Sequence, residues 1–144
     1  MATGAVQSHM AREHGAEGAI LVLEDHDDFR ELLKDVLQRE GYRVIGSSSA
    51  VEALTLLQGG TPVCLILLDL MMPGVSGFQF RSEQRADESL RDIPVIVLTG
   101  GQHSSDYHAN LDAVAYLQKP VDMDAVLALV REHCGPPEPR AGVQ

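Results

Sequence analysis

The sequence predicts an α/β domain of three layers, a doubly wound parallel sheet of five strands with helices on both faces. Three observations carry this. Continuous apolar runs recur at residues 19–23, 42–45, 64–68, 93–98 and 114–117, as strands buried on both faces of a parallel sheet require. Amphipathic helical patterns fall between them. The 144 residues, 44% of them hydrophobic, suffice for one core and leave little room for a second domain.

The elements follow in order. Run 19–23 reads as the first strand and ends in Glu24 and Asp25. Phe29, Leu32, Leu33, Val36 and Leu37 then repeat at i, i+3, i+4, i+7 and i+8, which forms one apolar helical stripe. Asp27 and Asp28 fall in its first turn, where carboxylates cap and offset the helix dipole. After run 42–45, a serine cluster caps a second helix carrying Ala50, Ala53, Leu54 and Leu57. Run 64–68 ends at Asp69, Pro73–Gly74 signals a turn, and 77–89 reads as a helix. Run 93–98 ends at Thr99, a short weak helix is expected over 104–111, and run 114–117 leads to Lys119 and Pro120. Asp122 caps a last helix with Met123, Val126, Leu127 and Val130 on one face. Residues 1–18 are small, polar and aperiodic, and 135–144 hold three prolines. We therefore expect a disordered N-terminal tail, a folded domain over 19–134 and a flexible C-terminal tail.

Composition excludes several partner classes. There are 11 Lys and Arg against 21 Asp and Glu, a net charge of −10. Phosphate backbones and anionic membrane surfaces both demand clustered cations. No apolar run is long enough to span a bilayer, and no signal-peptide pattern opens the chain, so a cytoplasmic protein is expected. Cys64 and Cys134 lie far apart in unlike contexts. They read as a buried thiol and a tail thiol rather than a disulfide.

In open parallel sheets, ligands bind beyond the carboxyl ends of the strands. Those ends carry Glu24, Asp25, Asp69, Thr99 and Lys119. Paired strands lie about 4.8 Å apart, so adjacency of the first and third strands would gather three carboxylates in one mouth. Such a group repels itself unless a cation joins it. A hard divalent cation fits, because Mg²⁺ takes carboxylate oxygens and keeps positions for waters or a phosphoryl oxygen.

The stretches ILVLEDHDDFRELL (20–33), LILLDLMMPGVSGFQF (65–80), IPVIVLTG (93–100) and AYLQKPVD (115–122) resemble the receiver domain of two-component response regulators, the CheY-like superfamily. The resemblance covers the whole folded part and implies the flavodoxin-like strand order 2-1-3-4-5, one of the two common orders of doubly wound sheets. It further implies that Asp69 is a phosphoacceptor taking phosphoryl from a phosphohistidine on a histidine kinase or phosphotransfer protein. Glu24, Asp25, Asp69 and the backbone carbonyl of Met71 would hold Mg²⁺ or Mn²⁺. Thr99 and Lys119 would contact the phosphoryl group, and Tyr116 matches the aromatic switch position. A cis peptide at Lys119–Pro120 is also implied. The domain would be a signalling switch, not a turnover enzyme, acting as a monomer or weak dimer on a downstream protein.

The chain departs from the family in places. Gly100 and Gly101 follow Thr99 where larger residues are usual, which suggests an open site edge. His26 replaces a common Asp or Asn and reads as an exposed loop residue. The stretch from Thr99 to Lys119 is short, which puts the helix at 104–111 in doubt. His103, His108 and His133 show no metal-ligand spacing. Two other functions fit less well. A phosphatase of the haloacid dehalogenase type needs an acid two residues after the nucleophile, where this chain has Met71. A phosphorylation-independent scaffold usually lacks one of the acids, the Thr or the Lys, and this chain keeps them all. The domain stands alone or belongs to a larger protein such as a hybrid kinase. The stretches LVLEDHDDFRELL and EQRADESLRDIP resemble receivers attached to such kinases, and that resemblance favours the second.

Overall fold

The computed structural model describes residues 18–70, 76–100 and 111–137. The elements run β1 (Ala19–Leu23), α1 (Asp27–Arg39), β2 (Val44–Ser47), α2 (Ala50–Gln58), β3 (Val63–Asp69), α3 (Gly77–Ala86), β4 (Val95–Thr99), β5 (Ala115–Gln118) and α4 (Met123–Cys134). All strand pairs are parallel, in the order β2-β1-β3-β4-β5. The sheet is the one expected. The expected helix at 104–111 falls on residues outside those described, apart from Leu111. So do most of the two expected tails.

Alternation along the strands divides the core into two layers. Leu21, Leu23, Ile66, Leu68, Val95 and Val97 face α2 and α3, where Leu54, Leu57 and Phe80 pack. Ile20, Val22, Leu65, Leu67, Ile96 and Leu98 face α1 and α4, where Leu33, Leu37, Val126 and Val130 pack. β1 and β4 are buried from end to end, because both faces carry helices.

Several boundaries differ from the sequence pattern, each for a local reason. Tyr42 lies before β2, not in it. Its N–H bonds to the Leu37 carbonyl in the turn, and its hydroxyl donates to the Gly135 carbonyl at 2.8 Å. Burial pushes its phenol pKa up from the ordinary tyrosine value. α3 stops at Ala86 rather than residue 89, because the Asp87 carboxylate accepts the N–H and hydroxyl of Ser89 and turns the chain. Those bonds hold the exposed Asp87 carboxyl below its usual pKa. Leu32 belongs to the apolar stripe of α1 but stands half exposed.

The largest correction concerns the cysteines. Cys64 and Cys134 form a disulfide with Cα atoms 5.4 Å apart. Cys134 is no tail thiol, since it is the fully buried last residue of α4. The β1–β3 register shifts so that Ala19 pairs with Val63 and Ile20 with Leu65, passing over Cys64. That irregularity breaks the alternation of faces. Val63 packs with one core layer, while Cys64 and Leu65 both pack with the other, where α4 ends.

Candidate functional site

The carboxyl ends of β1 and β3 place Glu24, Asp25 and Asp69 together. One carboxylate oxygen from each lies within 4.8 Å of the others. Glu24 and Asp69 are buried and Asp25 is partly exposed. The register explains the meeting, because Leu23 pairs with Leu68 and the next residues emerge side by side.

Lys119 enters from the end of β5 across a cis Lys119–Pro120 peptide. Its ammonium lies 3.0 Å from Glu24 Oε1 and 3.5 Å from Asp69 Oδ1. It also stands 5.1 Å from the centre of the Phe29 ring, a distance at which the ring face attracts a cation. The helical stripe predicts Phe29 only as core, and it serves the site as well. The other oxygen of Glu24 accepts the His26 N–H at 3.1 Å. Glu24 is therefore held at both oxygens, and Arg30 binds its carbonyl at 2.9 Å.

His26 has a definite structural place. It caps α1, with Nδ1 accepting the Phe29 N–H at 3.3 Å. The cap is this imidazole rather than Asp27 or Asp28, which occupy the first turn. Capping fixes the step from the acidic strand end into α1, so His26 and Phe29 join the site wall by the same local fold.

The walls of a cavity of about 390 Å³ are Glu24, Asp25, Asp69 and Lys119, with His26, Phe29 and Gly100. A side chain on Gly100 would meet no atom within 4 Å, so this edge is open. Thr99 is buried at the end of β4, and its carbonyl accepts the Lys119 N–H at 2.7 Å. That bond ties two of the expected site residues together through the backbone. Tyr116 lies one layer back in β5, its hydroxyl accepting the Ala113 N–H at 3.1 Å. Met71 lies outside the described residues.

Gly77 shows how tightly the next helix seats behind Asp69. A Cβ there would lie 2.6 Å from the Asp69 carbonyl oxygen and 2.7 Å from the Leu70 Cα. Only glycine permits that approach, and the Gly77 N–H donates to the Leu70 carbonyl.

Comparison with known proteins gives a consistent picture. The profile of the response regulator receiver domain matches residues 20–131. The polar-differentiation response regulator DivK of Brucella ovis is 30% identical over 119 residues, covering 81% of this chain and 96% of DivK. A response regulator receiver protein from Pseudomonas putida superposes with a TM-score of 0.74 at 30% identity, covering 80% of this chain and 96% of that one. The response regulator TrrA of Thermotoga maritima, solved in complex with Mg²⁺ and BeF, gives a TM-score of 0.70 at 33% identity, covering 80% and 97%.

Proposed function

The chain belongs to the response regulator receiver domain family, and we propose on that basis that Asp69 is the phosphoacceptor of a two-component phosphorelay. The observation that carries this reading is the buried Asp69 carboxylate, set among two further acids with the Lys119 ammonium at 3.5 Å. An Asp69 oxygen attacks the phosphorus of a phosphohistidine on a histidine kinase or phosphotransfer protein. The new O–P bond forms as the N–P bond breaks, and the imidazole nitrogen keeps the electron pair. The product is an aspartyl phosphate.

The donor set fits a hard divalent cation, because the cluster that the described residues form is made of carboxylates alone. Glu24, Asp25 and Asp69 would hold Mg²⁺, which supplies neutralisation of phosphoryl charge. Lys119 supplies a second positive charge, and the Phe29 ring and Glu24 keep its ammonium aimed at the mouth. Phosphorylation adds charge and acceptors at position 69. Lys119 is then drawn from Glu24 toward the new oxygens. Thr99 shares its backbone with that movement, which carries the change toward Tyr116 and the β5 face. The domain works as a switch for a downstream protein, not as a turnover enzyme.

The test is a mass measurement. Incubation with Mg²⁺ and phosphoramidate should add one phosphoryl group, and Asp69→Asn should add none. Labelling that survives Asp69→Asn overturns the assignment. Asp25→Asn should weaken Mg²⁺ binding by roughly 100-fold, at the upper end of what is typical when a metal site loses a supporting group. Calorimetric titration reads this directly, and unchanged affinity would remove Asp25 from the ligand set. Tyr116→Ala should label at the wild-type rate while losing the amide shifts that phosphorylation causes along β5. If labelling fails instead, Tyr116 belongs to the chemistry and not to its transmission.

A further inference from the structure

α3 carries a polar pair where its inner face would take aliphatic residues. Among the described residues Arg81 is the only buried basic side chain, and Gln84 beside it is fully buried. The Arg81 guanidinium donates from Nε to the Leu111 carbonyl at 2.7 Å and from Nη2 to the Asp112 carbonyl at 2.7 Å. Its Nη1 donates to Gln84 Oε1 at 2.8 Å. Gln84 in turn donates from Nε2 to the carbonyls of Leu90 and Ile93, at 2.9 and 3.0 Å. On α3, Arg81 thus holds the chain leading into β5, and Gln84, bonded to it, holds the chain leading into β4.

Burying a cation costs desolvation that a leucine would avoid. The burial lowers the Arg81 pKa, and Arg85 lowers it further. These three bonds end on neutral oxygens, which offset that cost less than a carboxylate would. What the planar fork adds is geometry, two carbonyls fixed at once. Those carbonyls flank Asp112, which has φ 53°, a left-handed conformation that a non-glycine residue keeps only when its surroundings hold it. The next residue, Ala113, donates its N–H to the Tyr116 hydroxyl. At the other end, α3 begins at Gly77, one turn before Arg81 and in contact with the Asp69 backbone.

We infer that Arg81 is a positioning residue that holds the β5 entrance so that the Ala113 N–H tethers Tyr116 in its resting place. The helix beginning behind Asp69 then sets how far Tyr116 must be released. This rests on the reading of Tyr116 as the switch. Without the fork, Asp112 relaxes from its left-handed conformation, the Ala113 tether loosens, and Tyr116 samples its released position before any phosphoryl arrives.

The experiment uses the full chain with tyrosine ring-labelled for NMR, in wild type, Arg81→Met and Arg81→Lys. Met keeps the length and the burial but has no donors, whereas Lys keeps the charge and loses the fork. In wild type, the Tyr116 ring signal should move on Asp69 phosphorylation with phosphoramidate and Mg²⁺. In unphosphorylated Arg81→Met it should already lie toward the phosphorylated position, with Arg81→Lys between the two. Phosphoryl incorporation should continue in both variants. A Tyr116 signal unmoved in Arg81→Lys and Arg81→Met overturns the inference, even if melting temperature falls, because Arg81 would then only support the fold. If wild-type Tyr116 does not respond to phosphorylation, the switch reading fails, while a moved resting signal in Arg81→Met still establishes the tether.

Discussion

Lys119→Met is expected to cost about 3 kcal/mol of stability in metal-free buffer at neutral pH. The Lys119 ammonium meets both the buried Glu24 and the buried Asp69 carboxylate. Removing one member of such a group strands the others in a poorly hydrated site, which typically costs roughly 3–5 kcal/mol. The 29% exposure of the Lys119 side chain places the effect at the low end. Mg²⁺ should restore much of the loss, since a ligand that binds only the folded state stabilises it by mass action. Urea midpoints with and without Mg²⁺ measure both effects. A variant as stable as wild type without Mg²⁺ would mean that the buried acids do not depend on Lys119 for compensation.

Reduction of the Cys64–Cys134 disulfide should lower stability by about 4 kcal/mol, as the chain-entropy relation gives for a loop of this length. The two cysteines are 70 residues apart in the chain. The bond joins the start of β3 to the last turn of α4, and the Tyr42 hydroxyl pins the next residue, Gly135. Oxidised and reduced wild-type chains compared in urea read the difference without any mutation. The reduced protein should still fold, because reduced cysteines remain small apolar side chains within a core layer built mainly from strand and helix aliphatics. Equal midpoints in the two states, with thiol counting that confirms reduction, would show that the link does not constrain the unfolded chain.

The parts that were legible in the sequence share a physical cause. The strands of a doubly wound sheet are buried on both faces, so they stand out as unbroken apolar runs, and the helices between them show a clear stripe. The acids and Lys119 were legible because they interrupt those runs at the strand ends, where a parallel sheet opens to solvent. The disulfide was not legible. Strict alternation places Cys64 on the face opposite Leu65, away from α4, and only the register shift beside Ile20 turns it back. The end of α3 was hidden because Asp87 and Ser89 stop a pattern that the apolar periodicity would continue. Arg81 and Gln84 look like solvent-facing residues of a charged helix. Their burial depends on carbonyls at positions 90, 93, 111 and 112, which no local pattern reveals. The His26 cap was hidden because histidine is not a usual capping residue.

Phosphoryl transfer to Asp69 is tested most directly by borohydride trapping. An aspartyl phosphate is an acyl phosphate, and borohydride reduces it to the alcohol, leaving homoserine in place of the aspartate. Wild-type protein treated with Mg²⁺ and phosphoramidate, then borohydride, should yield homoserine at position 69 in peptide mass spectra, and none when Mg²⁺ is withheld. Homoserine at position 25 instead, or a label that borohydride leaves untouched, would refute Asp69 as the acceptor.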